Sequence, residues 1–235
     1  MKLRNAADVR AFLNRRAADR PQNMAPTVKI DGQTATLRLF DPIDSYGEWW
    51  GMSAKELAQA LDELPSHVNT IELLINSPGG DVFDGMAMVN VLRAHSARTV
   101  AIVQGIAASA ASFIACSADE CVMQPNSTLM IHDAWGVCIG NADDMLAMGA
   151  LLEQVSANIV DIYAVKSGKS ADEMRAAMKA ETWYTADEAV AAGLADSVGT
   201  AVESDPPANN VTPLRPAAEA PSFIQIAANA NRRRR

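Results

Sequence analysis

The strongest constraint on this chain is a unit written twice: an apolar run, a glycine-bearing turn, then a helical pattern. Residues 70–75 (TIELLI) run into Asn76-Ser77-Pro78-Gly79-Gly80 and a helical stretch over 82–94. Residues 99–103 (TVAIV) run into Gln104-Gly105, read as a turn, and from Ser109 into a second helical stretch to 117. Short apolar runs bounded by turn residues read as buried strands, and strands alternating with helices imply a mainly parallel α/β sheet. Chemistry in such a sheet gathers beyond the carboxyl ends of the strands. Gly80 and Ser109 both fall just past a strand end, so the pattern predicts one shared site.

The flanking sequence fills out the domain. Strands over 27–30 and 34–40 around Asp31-Gly32 read as a hairpin. Ser53-Ala54-Lys55-Glu56 is a capping box opening a helix to Leu64, which Pro65 ends. Short strands are expected near 121–123 and 129–131, and a long helix over 142–166, with Met145, Met148, Leu152, Val155, Ile159 and Ile162 at near-helical spacing. Helices over 170–179 and 186–192 follow, with Gly193 as the stop. The expected organisation is a basic arm over 1–24 with a short helix at 6–18, a folded domain over 25–200, and a tail over 201–235. In that tail Pro, Asn and Ala dominate, and disorder is expected.

Charge excludes some classes. The net charge is −8, but residues 25–200 hold nine Lys/Arg against twenty-three Asp/Glu. So acidic a body is a poor grip for nucleic acid, and no specific nucleic-acid partner is expected. Arg232-Arg233-Arg234-Arg235 reads as a solvated run. Three cysteines, Cys116, Cys121 and Cys138, stand at no metal-ligand spacing and read as core fillers in a reducing compartment. No secretory leader is read at Met1-Lys2-Leu3-Arg4-Asn5, so the expected location is cytoplasmic. Residues 99–118 carry no charge and match a membrane span in length, but their Ala, Ser and Gly content suits a buried strand, turn and helix. No membrane partner is expected.

Three residue sets carry chemistry. Ser109, in Gly105-Ile106-Ala107-Ala108-Ser109, sits where a strand turns into a helix; the bland reading is a helix N-cap. As a nucleophile it needs a base. Of three histidines, His67 and His95 lie in polar surroundings, whereas His132 ends the apolar run Leu129-Met130-Ile131 and is the candidate. The base needs an acid on its other nitrogen. Asp133 is adjacent but points away on a strand. Glu181 is the better-placed acid, with a solvated helix-end residue as the alternative. Gly79-Gly80 permits backbone that aims N–H groups at a substrate oxygen, and the Ala110 N–H is the natural second donor.

From residue 70 to 198 these motifs resemble the ClpP family of serine peptidases. The resemblance is carried by Ile75-Asn76-Ser77-Pro78-Gly79-Gly80, Gly85-Met86-Ala87, the run ending at Ser109, Pro125-Asn126-Ser127, Met130-Ile131-His132, and Ala186-Asp187-Glu188-Ala189-Val190 through Asp196. It implies a crotonase-like fold of repeated β-β-α units with a protruding handle helix. It also implies Ser109 as nucleophile, His132 as base, and Gly80 and Ala110 as oxyanion donors. Glu181 occupies the position of the family's usual Asp, and Ala110 that of its usual Met. The further implications are a homo-oligomer of stacked rings acting on polypeptide, without metal or organic cofactor. The Glu181-Thr182-Trp183 segment and the extended termini resemble the family's phage head-maturation proteases. Scaffold or capsid proteins are then the expected substrates, and a general proteolytic subunit fed by an ATPase unfoldase is the alternative.

Three other classes predict different signatures. A crotonase-type acyl-CoA enzyme needs no Ser–His pair. A Ser–Lys peptidase needs Lys166, Lys169 or Lys179 beside Ser109. A non-catalytic assembly protein would keep the fold with a collapsed site.

Overall fold

In the computed structural model, residues 27–44 and 51–199 are described. The basic arm and the C-terminal tail expected from the sequence lie outside those residues.

Alternating burial builds the sheet. Strands β1 (Lys29–Asp31) and β2 (Thr34–Leu39) form an antiparallel hairpin whose turn uses Gly32 at φ 56°. Ala35, Leu37 and Leu39 are buried on β2, as are Ile71, Leu73 and Ile75 on β3 (Thr70–Ser77), with a period of two. β2, β3, β4 (Arg98–Ala108), β5 (Glu120–Met123) and β8 (Ser197–Val198) run parallel in that spatial order. Helix α1 (Ala54–Asp62) opens on a Ser53–Glu56 capping box and joins β2 to β3; α2 (Val82–Ala94), capped by Asp81, joins β3 to β4. α3 (Ala110–Ser117) follows β4 and is buried along nearly its whole length, packing against α2, β4 and α4. α4 (Ala142–Ser167) is the expected long helix, ended by Gly168 in the left-handed conformation.

β4 differs from its expected form. No turn interrupts it at Gln104-Gly105; the strand continues to Ala108 and serves two partners in succession. Its first half pairs β5 (Val100↔Glu120 to Val103↔Met123), and its second half pairs β6 (Thr128–Ile131) from Ile106↔Thr128 to Ala108↔Met130. Gly105 sits at the changeover for a reason of space. A Cβ there would meet Asn76 Oδ1 at 2.5 Å, the same oxygen that accepts from Ile106 N–H where the β3–β4 register shifts. The uncharged segment over 99–118 is thus a central strand and a buried helix.

Two strands were not expected. β7 (Thr182–Thr185) pairs β6 antiparallel and β8 closes the far edge on β5. Both are short and follow helices α5 (Ala171–Lys179) and α6 (Ala186–Ala191), so their sequence lacks an apolar run to announce them.

Candidate active site

Ser109 stands at the junction of β4 and α3 with φ 54° and ψ −124°. A non-glycine residue held in such backbone costs on the order of 1–3 kcal/mol and persists only where its neighbours over-determine it. Here they do. Ser109 N–H donates to Met130 C=O at 3.0 Å, carrying the β4–β6 ladder one step past its last pair. Ser109 C=O accepts from Ser112 N–H at 2.9 Å and from Ser112 Oγ at 2.6 Å. The side chain makes no cap bond to α3, so the simple N-cap reading does not hold. Ser109 Oγ lies instead 2.7 Å from His132 Nε2.

That contact comes from register. With Ala108 opposite Met130, the chain segments carrying Ser109 and His132 leave the sheet side by side. His132 is half-buried, and burial pushes its imidazole below the usual histidine range; the charges of Glu181 and Asp133 oppose that shift in part. The shift favours the neutral ring, the form able to accept a proton.

The acid is arranged less closely. Glu181 is exposed, at φ 48° just after α5, and accepts a long bond from Trp183 Nε1 at 3.4 Å. Its charge reaches His132, but among the described residues no acid accepts a hydrogen bond from His132 Nδ1. Asp133 is directed elsewhere: it ion-pairs with Arg175 Nε at 3.0 Å, and Arg175 also bonds Glu153 on α4 at 2.6 Å. This Arg175 clamp on the loop after His132 was not legible in the sequence. Asp133, Glu153 and Arg175 sit on three separate segments with no shared spacing.

The Gly79-Gly80 turn stands against the serine. A Cβ at Gly79 would meet Ala108 C=O at 2.5 Å, Ala110 N at 2.7 Å and Ser109 Cβ at 2.8 Å. At Gly80, φ is 151° and a Cβ would meet Ile43 C=O at 2.0 Å, so glycine is required at both places. Ile43 N–H donates to Gly79 C=O and Asp81 N–H donates to Ile43 C=O, both at 2.9 Å. One edge of the turn is therefore occupied by Ile43, which narrows where a substrate strand can pair. Strand alternation then aims the N–H and C=O of Gly80 the other way. The Ala110 N–H, first in α3, has no partner within its own helix. Gly80, Ser109, Ala110 and His132 share the polar end of a cavity of about 650 Å³, whose apolar wall includes Phe83, Met130 and Trp135.

The rival lysines are elsewhere. Lys166 ion-pairs with Asp196, and Lys169 and Lys179 are exposed; none lines the cavity around Ser109.

A mainly parallel sheet that delivers a serine and a histidine past adjoining strands, together with a long helix, is the α/β fold of the ClpP type. The chain belongs to the Clp protease family, whose model, described as Clp protease, matches residues 48–202. It is 33% identical over 140 residues to the ATP-dependent Clp protease proteolytic subunit 1 of Chlamydia abortus, covering 58% of this chain and 73% of that relative. The protein of the same name in Protochlamydia amoebophila is 32% identical over 152 residues, covering 62% and 74%.

Proposed function

We infer that the protein is a serine endopeptidase, and the 2.7 Å contact between Ser109 Oγ and His132 Nε2, both lining the cavity, carries that reading. Ser109 Oγ attacks the carbonyl carbon of a peptide bond as His132 Nε2 takes its proton. The N–H groups of Gly80 and Ala110 hold the resulting oxyanion. His132 then gives the proton to the departing amine, and water repeats the sequence to release the acyl group from Ser109. Glu181 is the acid for Nδ1, completing the triad when its exposed side chain turns onto the ring. No step requires a metal or an organic cofactor.

The active form is a homo-oligomer of stacked rings built through α4. The first half of that helix leaves Met145, Leu146 and Leu151 exposed, and the loop before it leaves Trp135, Val137 and Ile139 exposed. Two settings fit such an assembly. The relatives are proteolytic subunits of ATP-dependent proteases, which supports a general subunit served by an ATPase unfoldase. The head-maturation reading rests on the Glu181-Thr182-Trp183 segment and the termini alone, and is the weaker of the two.

Fluorophosphonate labelling of wild type, Ser109→Ala and His132→Ala tests the chemistry. Labelling of wild type alone supports an activated serine, and a folded, assembled wild type that stays unlabelled sinks the reading. Degradation of a folded substrate only with an added Clp-type ATPase would favour the general subunit. Cleavage of a scaffold protein without nucleotide would favour head maturation.

A further inference from the structure

We propose that Tyr163 and Ser112 form a buried relay that aims the Ala110 N–H into the site, which makes both of them positioning residues; this rests on the serine-peptidase reading. Peptide geometry carries the argument. The C=O of Ser109 and the N–H of Ala110 belong to one planar unit and point in opposite directions. Whatever fixes that carbonyl therefore fixes the N–H. The carbonyl is fixed twice by one residue, through Ser112 N–H at 2.9 Å and Ser112 Oγ at 2.6 Å.

The direction of the relay follows from counting protons. A serine hydroxyl has one, and Ser112 gives it to Ser109 C=O. Ser112 Oγ can then only accept from the Tyr163 hydroxyl, 2.7 Å away. The order is Tyr163 O–H to Ser112 Oγ, then Ser112 O–H to Ser109 C=O. Ser112 is 0% exposed and Tyr163 1%. Burial holds the Tyr163 phenol far above the usual tyrosine range, so it remains a donor across the working pH range. In such a dry setting a chain of hydrogen bonds reinforces itself. Ser109, at φ 54° and ψ −124°, lies outside the favoured backbone regions, so the orientation of this peptide is held by restraints from its neighbours. Tyr163 supplies one of them from α4, linking the long helix to the β4–α3 junction.

The test compares full-length wild type, Ser112→Ala, Tyr163→Phe and the double variant in hydrolysis of a fluorogenic peptide. Affinity for a peptide boronate, whose tetrahedral adduct places an oxygen at the oxyanion position, is measured beside it, with melting temperature. Removing an oxyanion donor outright costs about 10²–10³ in rate, so mis-aiming one should cost about ten-fold in kcat. Ser112→Ala should show that loss with the same factor in boronate affinity and an unchanged KM. Tyr163→Phe should show a smaller loss of the same pattern, and the double variant should be no worse than Ser112→Ala. An active wild type with variants unaltered in kcat and boronate affinity overturns the relay, as do losses that multiply in the double variant. If Ser112→Ala does not fold, Tyr163→Phe, which removes one oxygen, decides the matter. A wild type that neither hydrolyses peptide nor takes fluorophosphonate overturns the underlying reading, and the relay with it.

Discussion

His132 is set by two opposed influences: burial lowers its proton affinity, and the charges of Glu181 and Asp133 raise it. The sign of a mutation follows. A protonated ring cannot take the Ser109 proton, so activity falls as pH drops through the folded-state pKa, which lies below the ordinary histidine value. Glu181→Gln removes a charge that raises that pKa, so the acid limb of the pH–rate profile should move to lower pH. The maximal rate should fall at the same time, on the order of 10²-fold, because an unoriented base forfeits part of the general-base factor of about 10²–10⁴. Profiles of kcat/KM for both proteins check this; an acid limb that stays in place would remove Glu181 from the site. At this scale the sequence was informative about Ser109, His132 and the two glycines, because each sits beside a strand end that the apolar runs reveal. It was silent on Ile43, Ser112, Tyr163 and Arg175. Ile43, Tyr163 and Arg175 make their contacts across segments far apart in the chain, which no local pattern encodes, and Ser112, three residues from Ser109, stands in an apolar helical stretch with nothing beside it to mark it.

α4 shows how one element divides its labour. Its second half buries Val155, Ile159, Ile162 and Tyr163 in the core, whereas its first half is exposed nearly throughout. The two halves should respond to substitution in opposite ways. Ile162→Ala should cost about 2–5 kcal/mol of stability, the usual price of a core truncation. Leu146→Glu, at a side chain 73% exposed, should change chain stability by no more than about 0.5 kcal/mol yet lower the mass of the proposed ring assembly. Denaturant melts and light scattering separate the two effects; an intact assembly in Leu146→Glu would argue against contacts through this half. The helix itself was legible from its apolar spacing. β7 and β8 were not, because strands this short are specified by the partners they meet.

For the whole molecule, β4 is the organising feature. One strand passes from β5 to β6 and ends at Ala108, directly before Ser109, so core and candidate site are continuous along a single stretch of backbone. The parallel α/β arrangement could be read from the alternation of runs. The changeover at Gly105 could not, since glycine more often marks a turn, and only the approach of Asn76 explains its presence. The bond from Ser109 N–H to Met130 C=O has a consequence in time as well as space. It lies on the ladder of central strands, so its proton should exchange with deuterated water only when the domain opens globally. Under heating, the rate of irreversible inactivation should then equal the rate of unfolding. Hydrogen exchange at residue 109 that outpaces the β3 amides would show the β4–α3 junction loosening by itself. The matching result would describe a catalyst whose working lifetime is the lifetime of its fold.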